Sequence, residues 1–116
     1  PETWAVTIDQ QTAPAVTALM HQHIAITLQT LSRQPTDREQ ALDIVPLMLV
    51  RNQQPMLVPA LETPLMMGDQ ILFCGRPEAK TAVTTLLEHD KTLTYIVDGS
   101  ETPNSLLFRW LMAKKV

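Results

Sequence analysis

Three histidines, one cysteine and a few turn carboxylates are the residues whose types could carry chemistry here, and their spacing decides how far each can go. His21 and His23 form an H-x-H pair. On a strand both rings would lie on one side; on a helix they would stand roughly 200 degrees apart and could not share a metal. Neither has a cysteine or carboxylate nearby at ligand spacing, so the pair reads as surface or helix-end histidines and no metal is expected. His89 beside Asp90 falls at an expected helix end, where a cation is favoured in any case.

Cys74 could serve as a nucleophile only in an electropositive, partly exposed setting that lowered its thiol pKa. Its neighbours Leu72 and Phe73 make it a strand residue, and a small buried hydrophobe is the expectation. Asp98 and Glu101 flank a turn at Gly99, where acidic residues are usually solvated or capping. The three glycines, Gly68, Gly75 and Gly99, stand too far apart to cradle a phosphate in a Gly-rich loop. No acid–base pair, nucleophile or metal set emerges, and the chain is expected not to be an enzyme.

The elements that must position these residues follow from periodicity. Trp4, Val6 and Ile8 alternate with Ala5, Thr7 and Asp9, the pattern of a strand with one buried face. Thr12 and Pro14 supply a cap and a first-turn proline for a helix in which Val16, Leu19, Met20 and His23 share one side. From Ile24 to Arg33 the pattern fits strand or helix, and the β-branched content favours strand. Gln34 to Leu42 is a polar connector that turns back as a hairpin or begins a short helix.

Ile44 to Val50 reads as a largely buried strand ending in a turn over Arg51 to Gln54. Pro46, which has no N–H to donate, places it at an edge or a bulge. Met56 to Val58 gives a short strand closed by Pro59. Gly68-Asp69 makes a tight turn before the strand Ile71 to Cys74, which stops at Gly75. Pro77 then opens a helix with Ala79, Ala82, Val83, Leu86 and Leu87 on one face. Leu93 to Val97 reads as a final strand, Asp98-Gly99 as a turn, and Thr102-Pro103 as the start of a last helix carrying Leu106, Leu107, Trp110 and Leu111. Most connections are too short for helical crossovers between parallel neighbours, so the fold class is α+β: an antiparallel or mixed sheet in two layers with covering helices.

With 116 residues and 45% hydrophobic content, one compact domain is the expectation for residues 1–116. A chain that opens on Pro1 and reaches a strand pattern by Trp4 is expected to be part of a longer protein. The net charge is −3 and the nine basic residues are scattered, which argues against nucleic acid as a partner. No apolar run reaches the roughly 18 residues of a spanning helix, so no membrane insertion by these residues is expected. A single cysteine excludes an internal disulfide and fits a reducing cytoplasm. Of the six methionines, Met48, Met56, Met66 and Met67 crowd one third of the chain; core filling is their expected role, an adaptable interaction surface the alternative.

The succession Ile44-Val45-Pro46-Leu47-Met48-Leu49-Val50-Arg51, Met56-Leu57-Val58-Pro59, Thr63 to Leu65, Gly68-Asp69-Gln70-Ile71-Leu72-Phe73-Cys74-Gly75 and Pro77-Glu78 resembles the TrkA-C, or RCK C-terminal, domain family. That pattern is an apolar strand ending in arginine, a short strand closed by proline, a threonine–leucine pair, Gly-Asp, an apolar strand, glycine and a helix. The best-matched part is 44–88. The chain departs from it at Ala13-Pro14-Ala15-Val16, where the family carries Gly-Lys or Gly-Arg, and by an added stretch, about a hairpin long, before Ile44.

The resemblance implies a cytoplasmic regulatory domain of a potassium channel or potassium-linked transporter, at the inner face of the membrane. Such a domain would form a homodimer and be attached to nucleotide-binding and membrane domains of the same protein. It would sense a small regulatory ligand, which in some relatives is a cyclic dinucleotide, held across the dimer interface. The positions carried over as ligand-binding are Leu49, Arg51, Met56, Val58 and Pro59, with the Arg51 fork suited to phosphate. The alternative is a structural dimerisation or docking domain without ligand binding.

Overall fold

The computed structural model describes residues 1–98. Its elements are β1 (Glu2–Thr7), α1 (Pro14–His21), α2 (Leu28–Leu31), β2 (Arg33–Gln34), β3 (Asp37–Ala41), β4 (Ile44–Arg51), β5 (Gln54–Leu57), β6 (Gln70–Gly75), α3 (Pro77–Glu88) and α4 (Asp90–Asp98). A four-stranded antiparallel sheet runs β1-β6-β4-β5, and β2 and β3 form a separate hairpin. The fold is α+β, as the sequence pattern predicts.

One face of the sheet is the core. Val6, Leu49, Ile71 and Phe73 point into it and meet Val16 and Leu19 of α1, Val83, Leu86 and Leu87 of α3, and Leu93 and Ile96 of α4. Trp4 lies against Phe73 with ring centroids 5.8 Å apart. The alternation that marks β1 as half-buried thus reports a real face, with Ile8 continuing it through an N–H to the carbonyl of Asp69.

Pro46 sits at a β-bulge. The β4–β6 register shifts between Pro46 and Met48, so Leu47 is the extra residue. Pro46 and Leu49 consequently both face the core, whereas strict period two would have pointed Leu49 outward. Asn52 and Gln53 then close the β4–β5 hairpin with φ of 52° and 65°. Two positive φ values in a two-residue loop match the twist of the strands it joins.

Gly75 is required by a close approach rather than by an unusual dihedral. A Cβ there would stand 2.7 Å from the Asp43 carbonyl oxygen, because β6 ends against the entry to β4. Gly68, at φ 88°, is the residue that lets the chain turn into β6.

Several expectations are corrected. The stretch from Ile24 to Arg33 is not one strand: after Thr27 it makes the single turn α2, and strand begins only at Arg33, in β2. A reciprocal capping box drives this, Thr27 accepting from the Thr30 N–H while the Thr30 hydroxyl accepts from the Thr27 N–H. Leu93 to Val97 is helix, not strand. Its Thr, Tyr, Ile and Val content favours β, but Leu93 and Ile96 at i and i+3 bury together against α3, and packing overrides propensity.

Thr12 does not cap α1; Ala13 holds the N-cap position without a side-chain bond, and Asp9 accepts the Thr12 N–H. The polar connector resolves as the hairpin β2–β3, not a helix. Cys74 is half-buried on the sheet face away from the helices rather than in the core. Met56, Met66 and Met67 are exposed rather than core-filling. The Gly99 turn with Glu101, and the helix expected from Thr102, lie outside the described residues.

Candidate functional site

The part of the molecule that gathers the carried-over residues is the end of β4, the edge strand β5 and the connection from β5 to β6. Because β5 lies outside β4 and β6 inside it, residues 58–69 must cross the end of β4 to reach β6. Arg51, the last residue of β4, holds that crossing. Its Nε donates to Oδ1 of Asp69 at 2.9 Å, and its Nη2 donates to Oδ2 at 2.7 Å and to the Pro64 carbonyl at 2.8 Å. Asp69 Oδ2 also accepts the Met66 N–H.

The Asp69 side chain is 1% exposed and that of Arg51 27%. A carboxylate this buried requires a full set of donors, and the planar guanidinium fork supplies two of them in one geometry. The hydrogen bond to Asp69 holds the Arg51 guanidinium above its usual range, with burial acting in the opposite sense. Asp69 was expected only to complete a turn with Gly68; it is the buried anion around which the crossing is built. An arginine ending an apolar strand, with a lone aspartate before the next, is the sequence signal for such a pair.

The five carried-over residues separate on this framework. Leu49 is fully buried and Pro59 is buried, so neither reaches a surface where a ligand could touch it. For Leu49 the cause is the bulge, which turns it inward. Met56 and Val58 are 40% and 70% exposed. Arg51 lies between, with Nε and Nη2 committed and only Nη1 left to donate to anything else.

Around Met56 and Val58 the surface is apolar. Leu57 is 75% exposed, and Leu61, Met66 and Met67 in the following connection are exposed as well. Val58 donates its N–H to Leu47 O, so by alternation Gln54 and Met56 also face β4, while Pro55 and Leu57 face outward. Pro55 therefore removes a donor from the open edge, which blunts strand-to-strand addition. What β5 offers a partner is side-chain surface.

His21 ends α1 and His23 lies in the following turn at φ 63°; both are exposed. Among the described residues no group of three or more His, Cys, Asp or Glu could hold a metal, and no helix is long and apolar enough to cross a membrane.

No protein-family model matches the sequence, and no curated protein matches it. Among solved structures, one described as an RCK domain with cda is similar at 19% identity and a TM-score of 0.44, covering 76% of this chain and 100% of that one. A likeness of that size assigns neither family nor function.

Proposed function

We propose that this chain is a regulatory domain of a potassium channel or potassium-linked transporter, and that it works as a homodimer at the cytoplasmic face of the membrane. The observation that carries the association is the run of exposed apolar residues at the edge strand β5, Met56, Leu57 and Val58, with Leu61, Met66 and Met67 also exposed in the connection that follows. Singly scattered exposed apolar residues need no explanation, but a run of consecutive ones on an edge strand does. Residues 54–61 hold no charged side chain, so the patch meets a second copy of itself without charge repulsion. The potassium-transport context is supported by the ordered TrkA-C-like succession from Ile44 to Glu78.

A second reading keeps the dimer and drops the ligand at this surface. It is favoured by the commitment of Arg51 to Asp69 and Pro64 and by the burial of Leu49 and Pro59. Sedimentation velocity on the chain tests the association: a dimer is expected, and a monomer at high concentration would remove it. A thermal-shift panel of cyclic dinucleotides, adenine nucleotides and divalent ions separates the two readings. A response to a cyclic dinucleotide that Met56→Ala abolishes supports a sensor at this edge, and a flat panel leaves the docking role alone.

A further inference from the structure

The added hairpin β2–β3 has no place in the reading above, yet it builds a second concave site. Together with α2 and α4 it encloses a cleft of about 310 Å³. The walls include Thr27, Gln29 and Thr30 from the α2 turn, Arg33 and Arg38 from the two strands of the hairpin, and the apolar Ile96 and Val97 of α4. None of the residues carried over from the TrkA-C resemblance lines it.

Two guanidiniums on one cleft wall repel each other unless something negative lies between them. Arg51 and Arg76 each pair with an aspartate and Lys80 with Glu2, but neither Arg33 nor Arg38 has an ion pair among the described residues. Glu39 lines the same cleft and is exposed, and it too pairs with neither. Both arginines line the cleft and are half-buried.

The hairpin is itself anchored, since the Arg38 N–H donates to the Tyr95 hydroxyl of α4 at 3.0 Å. That bond fixes the backbone of one arginine relative to the opposite wall. The other wall supplies donors. The Thr27 and Thr30 hydroxyls lie 3.3 Å apart, and each accepts a backbone N–H. Only one hydroxyl proton is used between them, so the second remains to donate outward. Gln29 adds a side-chain amide.

We infer that this cleft binds a small phosphate monoester that also carries hydroxyl groups, a nucleoside monophosphate or a sugar phosphate. The two guanidiniums and the threonine hydroxyl take the phosphate, which is the group their charge and donor chemistry suit. The Glu39 carboxylate would repel a bare anion but accepts hydrogen bonds from sugar hydroxyls. Ile96 and Val97 give an apolar surface to the carbon skeleton, and the volume is at the small end of ordinary ligand sites. The inference stands apart from the homodimer and from any ligand at β5, because different elements build this site.

The test is calorimetric titration of the chain with AMP, ribose 5-phosphate and adenosine. At least one phosphate is expected to bind and adenosine is not; AMP alone identifies a nucleotide site, and ribose 5-phosphate binding equally identifies a sugar-phosphate site. Arg33→Gln and Arg38→Gln should each weaken binding by about tenfold or more, since each removes a charge-assisted hydrogen bond. Arg76→Gln, outside the cleft, should leave it unchanged. Amide NMR of the unmutated chain provides a second readout, with shifts on ligand addition expected at Thr27, Gln29, Thr30 and Arg38. Absence of binding by both phosphates at millimolar concentration would overturn the inference, as would binding that ignores both arginine variants or amide shifts confined to other regions.

Discussion

Asp69 accepts two hydrogen bonds from Arg51, at 2.9 and 2.7 Å, and thereby ties the end of β4 to the residue that precedes β6. Arg51→Met leaves the buried carboxylate with the Met66 N–H alone. Removing one partner of a buried pair costs about 3–5 kcal/mol, and the partial exposure of Arg51 places the loss toward the lower end. Urea denaturation should show a lowered midpoint, and the residues crossing β4 should lose hydrogen-exchange protection first.

The pH dependence of that pair follows from its sign. A group whose folded pKa is raised contributes stability below its unfolded value, and the contribution is lost only as pH rises through the folded one. For Arg51 the shift is upward from the ordinary arginine value, so its share of stability should be constant from neutral to strongly alkaline pH. Arg51→Lys moves the loss into lysine's range near ~10.4 and above. Urea titrations across the alkaline range should fall for the lysine variant while the arginine chain holds.

Two backbone sites have opposite expectations. Gln53 stands at φ 65° without the freedom of glycine. Gln53→Gly should therefore stabilise the hairpin, by up to about 1 kcal/mol. Gly75→Ala forces a methyl to within 2.7 Å of the Asp43 carbonyl oxygen, a backbone atom that cannot swing away. A loss of about 1–3 kcal/mol is expected, read as a lowered melting temperature.

Among the described residues, Leu57 is the most exposed of the large apolar side chains. Leu57→Lys should turn a dimer into a monomer in sedimentation velocity while leaving the unfolding free energy of the monomer within about 0.5 kcal/mol of the parent chain, as surface changes do. A dimer that survives this change would place the interface elsewhere.

Tyr95→Phe removes the hydroxyl that accepts the Arg38 N–H. The expected loss is about 1 kcal/mol, together with faster exchange of the amides of β2 and β3, which have few other ties to the helices.

The parts of this fold that could be read from the sequence are those where one local pattern has one solution. The β1 alternation, the Pro77 helix start and the apolar face from Ala79 to Leu87 belong to that class. Leu93 to Val97 does not, because its β-rich composition points one way and its packing against α3 the other, and packing is not local. Arg51 stands out in the sequence as the arginine that ends an apolar strand, but the pair it forms depends on an aspartate eighteen residues away across a strand crossing. The arginines of the hairpin were not singled out at all. They lie in a polar stretch without periodicity, and only the folded chain brings Arg33 and Arg38 into one concavity.

The bulge at Leu47 sets the phase of everything that follows it in β4. Were Leu47 to take a regular place in the ladder instead of bulging out, strict alternation from Pro46 would carry Leu49 and Arg51 to the outer face of the sheet and bring Met48 and Val50 inside. Asp69 would then be a buried anion facing a hydrocarbon. One unpaired residue therefore acts as a parity bit for the strand, deciding which half of its side chains belongs to the core and which to the outside world.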